Sequence, residues 1–271
     1  MKRRRDARTT MDQVELLFLG TGTSAGVPMI GCRCDVCRSA DPRDKRTRPS
    51  VVISRGGSRV LVDTTPELRL QCVSNGVEMI DAVVYTHAHA DHVMGLDDVR
   101  RFNALRGGPL EVWADERTFA TLSTCFAYAF KEPDPDAKLF RPHLQRRTIE
   151  PDRPFRAGGM EWTPVPLLHG DLPVLGFRVG RLAYCTDVSE IPASSFPLLE
   201  GLDVLVLDAL QHKKHTTHFS LEEAVEAARR IGAKQTLFTH IAHALGHEAT
   251  NRALPPGMRL AHDGERLTAR L

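Results

Sequence analysis

Short apolar runs, each closing on a cluster of Gly, Ser, Thr, Asp or His, alternate along this chain with a few segments of helical periodicity. VELLFLG before TGTSAGVP reads as a buried strand entering a turn. PSVVISRGGSRVLVDT reads as two strands joined by a tight hairpin at RGGS. MIDAVVY predicts a strand, followed by the loop THAHADH and an amphipathic helix over VMGLDDVRRFNAL. LEVWAD predicts another strand, and ERTFATLSTCFAYAF a helix with one apolar face. Residues 131–164 are rich in Pro, Arg and Asp and predict loops with short strands. VLGFRVGRLAYCTDVS predicts a hairpin turning near Gly180, and GLDVLVLDAL a strongly buried strand. SLEEAVEAARRIGA predicts a helix with its N-cap at Ser220, a capping-box partner at Glu223 and a glycine near its end. KQTLFTHI reads as the last core strand, ahead of a tail ending LPPGMRLAHDGERLTARL. No fixed repeat, low-complexity segment or linker interrupts this order. Strands at both ends with helices between predict two sheets packed face to face, with helices outside.

Composition narrows the class. With 271 residues the chain can bury a sizeable core, as one large domain or two pseudo-equivalent halves. Apolar content of 42% and charged content of 26% are ordinary for a soluble globular enzyme. No apolar stretch approaches the roughly 18 residues needed to span a bilayer, so no membrane partner is expected. MKRRRDARTT is basic but has no apolar segment behind it, so it is not read as a secretory signal. Residues 1–12 are read instead as a short basic tail ahead of a domain over 13–271. A net charge of +2 argues against a large nucleic-acid surface. Six cysteines without a signal segment point to a reducing compartment, the cytoplasm, where clustered thiols bind metal more often than they pair.

Two stretches carry chemistry. THAHADH places four metal-competent side chains, His87, His89, Asp91 and His92, just past an apolar strand. Alternate residues of an extended segment point the same way, so His87 and His89 can face one metal. A following turn can aim Asp91 and His92 at a second. Imidazole with carboxylate suits zinc, iron or manganese, and the mixed set favours a hydrolytic centre over a closed structural one. GCRCDVC, residues 31–37, places Cys32, Cys34 and Cys37 in one turn, while Cys72, Cys125 and Cys185 are scattered singly. A disulfide there would leave one thiol over, and an iron–sulfur cluster lacks a fourth cysteine at a suggestive spacing. A buried or reactive trio is a further reading. Three thiolates are one ligand short of a tetrahedral zinc site, whose fourth ligand would be a histidine from elsewhere.

H-x-H-x-D-H resembles the signature of the metallo-β-lactamase superfamily, whose remaining pattern is matched by His169 in PLLHGD, Asp187 in YCTDVS and His240 in FTHIAH. The fold implied is α/β, an αββα four-layer sandwich. The resemblance implies that His87, His89 and His169 hold one divalent metal and Asp91, His92 and His240 another, with Asp187 bridging. Such a pair, about 4 Å apart, lowers the pKa of a bridging water and clamps both attacking and leaving oxygens. Asp91 would also orient the hydroxide. Asp63, in VLVDTTPE, stands where the superfamily places a strand-end acid, either bonding a ligand from behind or capping a turn.

LGTGTSAGVPMIGCRCDVCRSADPRDKRTRPSVVI followed by THAHADH is similar to the PhnP branch, phosphoribosyl 1,2-cyclic phosphate phosphodiesterases, over most of the chain. That branch implies a structural zinc on Cys32, Cys34, Cys37 and His243. It implies two catalytic divalent ions, zinc or manganese, and a small phosphorylated sugar or cyclic nucleotide as substrate. The reaction implied is attack of a metal-bridged hydroxide on a cyclic phosphodiester, giving ribose 1,5-bisphosphate, with 2′,3′-cyclic nucleotides as side substrates. His218, in HKKHTTHFSLEEA, matches a catalytic histidine of the branch and is assigned as proton donor, ahead of His212 and His215. Lys213 and Lys214 read as a solvated loop. Arg43, Arg46 and Arg48 can approach phosphate or brace the cysteine turn through Asp41 and Asp44. The readings set against this one are a tRNA-processing nuclease or other hydrolase of the superfamily, a cofactor-biosynthesis protein resembling PqqB, and a non-catalytic zinc module. Nucleic acid is not the expected partner, and a homodimer is compatible with everything above.

Overall fold

The structure, a computed structural model, describes residues 12–131 and 140–271. The basic tail expected over residues 1–12 lies, except for Asp12, outside the described residues, as does 132–139 within the segment read as loops.

Continuous apolar burial in the early strands marks them as covered on both faces. β1 (Gln13–Gly20) pairs antiparallel with β2 (Ser50–Arg55), which turns through Gly56 and Gly57, both at positive φ, into β3 (Ser58–Val62). The parallel strands β4 (Ala82–Val84), β5 (Leu110–Ala114) and β6 (Leu144–Thr148) extend this sheet. A second sheet begins with the antiparallel strands β7 (Phe155–Ala157), β8 (Met160–His169), β9 (Leu172–Val179) and β10 (Leu182–Cys185). It continues in parallel through β11 (Val204–Asp208), β12 (Gln235–Thr239) and β13 (Met258–Leu260). The final strand, β14 (Arg266–Arg270), returns to the first sheet beside β1. Both sheets therefore have seven strands among the described residues.

The inward positions of the two sheets meet in one core, where Phe18, Val51, Trp162, Phe177 and Tyr184 are fully buried. The outer face of the first sheet is covered by α2 (Leu68–Asn75), α4 (Arg100–Arg106) and α5 (Glu116–Cys125), which follow the one-turn helix α1 (Asp35–Arg38) and flank α3 (Ala90–Val93). α6 (Leu221–Ile231) packs Ala224 and Ala228 on the second sheet, ahead of α7 (His247–Ala253). The result is the expected αββα four-layer sandwich. No helix among the described residues is long and apolar enough to cross a membrane.

α6 carries the full capping box between Ser220 and Glu223 and ends on Gly232 at φ 71°. Three expectations need correction. The helix expected over 93–105 is broken into α3, a 3-10 turn at Leu96–Val99 and α4. Gly95 causes the break: its N–H bonds the Thr64 carbonyl, and a Cβ there would sit 1.9 Å from the Thr65 oxygen. Within 131–164, β8 is a ten-residue strand despite Pro164 and Pro166. β7 pairs only with 160–162, so both prolines face the unpaired edge, where a missing N–H costs no ladder bond. KQTLFTHI is also not the last core strand, since α7, β13 and β14 follow it.

Candidate metal centre

His169, Asp187, His240 and Asp63 stand at or just past strand ends, whereas the histidine loop runs from the end of β4 into α3. His169 closes β8, Asp187 lies two residues past β10, His240 directly follows β12, and Asp63 directly follows β3. His87 lies three residues past β4, and Asp91 and His92 sit on α3. Asp63, Asp187 and His240 are the non-glycine residues with positive φ among the described residues, at 64°, 57° and 57°. Each such conformation costs about 1–3 kcal/mol, and it survives where the surroundings over-determine it, commonly at functional sites.

The topology brings these residues into two groups that share Asp187. His87, His89, His169 and Asp187 form one, and Asp91, His92, Asp187 and His240 the other, with ligand atoms in each within 4.8 Å of one another. Asp187 reaches both: one oxygen lies 4.0 Å from His87 Nε2 and 3.3 Å from His240 Nε2, the other 3.2 Å from His92 Nε2. Asp91 approaches His92 at 3.5 Å and His240 at 3.6 Å. Except for His89, all are buried.

Hydrogen bonds behind the rings set their tautomers. His92 Nδ1–H donates to Asp63 Oδ2 at 2.7 Å. Asp63 also accepts the Thr86 N–H at 2.9 Å and the Thr86 hydroxyl at 2.8 Å, which leaves Thr86 Oγ1 free to accept His87 Nδ1–H at 3.0 Å. His169 Nδ1–H donates to the Thr217 carbonyl at 2.5 Å. Each ring thereby turns an Nε2 lone pair toward the centre. The Nε2 atoms of His87, His92 and His240 are buried without a hydrogen-bond partner among the described residues. A buried imidazole lone pair left unpaired is costly, and a cation is the partner that satisfies it, so the donor set fits divalent metal. Of the two readings of Asp63, the geometry favours the one in which it bonds a candidate ligand, His92, from behind.

Charge at the centre is strongly coupled. Burial, then the His92 charge, press His87 well below its ordinary pKa. Burial also opposes protonation of His92, but Asp187 and Asp63 outweigh it and hold that ring well above its usual range. In His240 burial is again overcome, by Asp187, Asp91 and Asp208, and the ring titrates at about 9. Burial would raise Asp187, yet His240 and His92 pull it well below the carboxylate range. The site is a negative pocket that attracts positive charge.

His218 lies beside both groups. Its ring stacks on His240 with centroids 4.5 Å apart and meets His169 edge-on at 4.4 Å. Nδ1–H donates to Asp208 Oδ2 at 2.8 Å. Asp208, fully buried at the end of β11, was not singled out from sequence: it reads as the last residue of a core strand, and its partner is ten positions away. His212 and His215 are exposed; His215 bonds Thr217 locally and its ring centroid lies 5.3 Å from that of His218. Lys214 pairs with Glu223, as expected of a solvated loop.

The cysteine turn converges on one histidine. Cys32 and Cys34 sulfurs lie 3.2 Å and 3.4 Å from His243 Nδ1, and Cys37 completes a group of four within 4.8 Å. The Cys37 N–H and then His243 draw the Cys34 thiol down to about 6, while burial pushes Cys37 up to about 11. Just past this turn Arg43 pairs with Asp41 at 2.7 Å, Arg46 with Asp44 at 3.0 Å and Arg48 with Glu67, while Lys45 Nζ donates to the Cys37 carbonyl at 3.2 Å.

The family model of the beta-lactamase superfamily domain matches residues 58–241. Among solved structures, a diphosphatase from the PhnP family superposes with a TM-score of 0.88 at 45% identity, covering 96% of this chain and 99% of that one. An octanoyltransferase from Porphyromonas gingivalis is 36% identical over 92% of this chain, which spans only 50% of that relative's length. A ribonuclease Z from a Bradyrhizobium species is 26% identical over 94% of this chain and 99% of its own.

Proposed function

The chain belongs to the beta-lactamase superfamily and is a metal-dependent hydrolase; on that footing we propose that it opens a small cyclic phosphodiester, converting phosphoribosyl 1,2-cyclic phosphate to ribose 1,5-bisphosphate, with 2′,3′-cyclic nucleotides as further substrates. His87, His89 and His169 would hold one divalent ion, and Asp91, His92 and His240 another, with Asp187 shared. Such ions, zinc or manganese, supply Lewis-acid stabilisation of phosphoryl charge and acidify water. Asp63 and Thr86 hold His92 and His87 in the tautomer that presents Nε2. Asp91 would accept a proton from the attacking water.

The observation that carries the reading is the His218–Asp208 pair against His169 and His240. As water oxygen bonds to phosphorus, the bond from phosphorus to the ribose 2-oxygen breaks. That oxygen leaves as an alkoxide far more basic than water at neutral pH, so it needs a proton in the transition state. His218 Nε2 donates it, and Asp208 stabilises the ring through Nδ1. Cys32, Cys34, Cys37 and His243 would hold a separate, structural zinc.

The name of the 45% identical relative favours a second reading, hydrolysis of a linear diphosphate. A phosphate leaving group is a weaker base and asks less of an acid, which separates the two. The metal-loaded protein should be assayed on phosphoribosyl 1,2-cyclic phosphate, a nucleoside diphosphate sugar, bis-p-nitrophenyl phosphate and precursor tRNA. We expect His218→Ala to lower kcat on the cyclic phosphate by about 10²–10⁴-fold with metal content intact, and to slow bis-p-nitrophenyl phosphate much less. Turnover confined to the diphosphate or to tRNA overturns the proposal, and metal loss in His218→Ala overturns the role given to that residue.

A further inference from the structure

A cavity of about 190 Å³ opens beside the first histidine group, lined by His87, His89, Arg117, Thr121, Leu172 and Pro173. It is smaller than the roughly 300–1,000 Å³ of pockets that enclose a whole ligand, and so has the size of one substituent. Arg117 is exposed near the start of α5, and no hydrogen bond or ion pair engages its guanidinium among the described residues. The acids next to it are committed elsewhere. Asp115 caps α5 by accepting the Thr118 N–H, and Glu116 bonds Arg146 and Thr148 on β6. Glu111, on β5, is held by Arg147. An unpaired cation therefore borders a cavity that shares its wall with the hydrolytic centre.

We propose that Arg117, with Thr121 beside it, binds the second, non-reacting phosphate of the substrate and so selects phosphorylated sugars over bare phosphodiesters. The inference rests on the proposed reading of the site as a cyclic phosphodiesterase. A guanidinium matches phosphate oxygens in a fork of two charge-assisted hydrogen bonds, and the Thr121 hydroxyl can donate a third. Leu172 and Pro173 give the connecting sugar an apolar surface. Binding energy from this remote phosphate would hold the ring ester in place over the two histidine groups.

Two measurements test the proposal separately from the reaction assignment. Calorimetric titration of ribose 5-phosphate into the metal-loaded protein should show binding that weakens at least about tenfold in Arg117→Ala and is partly restored in Arg117→Lys, with metal content unchanged. In turnover, Arg117→Ala should raise KM for phosphoribosyl 1,2-cyclic phosphate by about 10–100-fold and leave kcat/KM for bis-p-nitrophenyl phosphate unaltered. If the wild type binds ribose 5-phosphate through Arg117 but does not open the cyclic phosphate, the subsite stands and the substrate assignment falls. Equal losses on both substrates, or ribose 5-phosphate affinity indifferent to Arg117, overturn the subsite.

Discussion

Asp63 concentrates three hydrogen bonds on one carboxylate whose backbone is left-handed, at φ 64°. Its Oδ2 accepts from both His92 and Thr86, so one substitution tests the orientation of two histidines at once. Asp63→Asn keeps the volume, and asparagine tolerates positive φ better than most residues, so the backbone should hold. The amide nitrogen, however, must face at least one of the three donors. We expect metal affinity at the histidine centre to fall by about 10–100-fold while the fold survives, measured by competition with a chelator. Unchanged affinity would reduce Asp63 to a turn residue. That dual role was visible in the sequence only as two open readings, because a strand-end aspartate looks the same whether it caps or orients. THAHADH was legible because four donors crowd six positions; Asp208 was not, because nothing local marks its partnership with His218.

Elements were legible where a local pattern carries them. The capping box and terminal glycine of α6 decide its ends without help from the rest of the chain. β8 was masked by prolines that only an edge position tolerates, and β14 by a polar sequence that buries little beyond Ala269. α7 has no apolar stripe to mark it, yet it contains a pH-sensitive contact. Asn251 Oδ1 accepts the Leu260 N–H at 2.8 Å, so its amide Nδ2 donates to His247 Nε2 at 3.0 Å and the ring is neutral. Burial, then Arg43, His262 and Arg46, depress His247 to about 4. The unfolded chain takes up this proton near pH 6.5 and the folded one only near 4, so stability is retained above about 6.5 and falls as pH drops toward 4. The loss amounts to about 2–3 kcal/mol. His247→Gln should flatten that part of the melting-temperature profile between pH 7 and 5 relative to wild type. Parallel profiles for the two proteins would show that His247 does not contribute.

Across the whole molecule, the two sheets are joined at the metal-bearing edge by ties of different chemistry. The chain between β1 and β2 carries the cysteines, and the chain between β12 and α7 carries His243, so a zinc on the four would clamp one sheet's connection to the other's. Arg46 makes a second tie without metal. Its buried guanidinium bonds Asp44 at 3.0 Å and the Leu245 and Ala242 carbonyls at 2.8 Å and 3.3 Å, while Asp44 accepts the His247 N–H at 2.8 Å. Both ties flank Ile241, whose N–H bonds the Thr21 carbonyl directly after His240. Arg46→Met would keep the stem's packing but remove the charge partner of Asp44 and the donor to the Arg43, Ala242 and Leu245 carbonyls, at a cost of about 3–5 kcal/mol. In a chain of this size that is on the order of 10 °C in Tm, with the zinc count unchanged. Cys37→Ser should instead lose about one zinc per chain and lower Tm by its own route. Because both ties hold the same short segment, the double variant should lose less than the sum of the two. Strict additivity in Tm would mean that the cysteine site and Arg46 brace separate parts of the fold, and that His240 is held by only one of them.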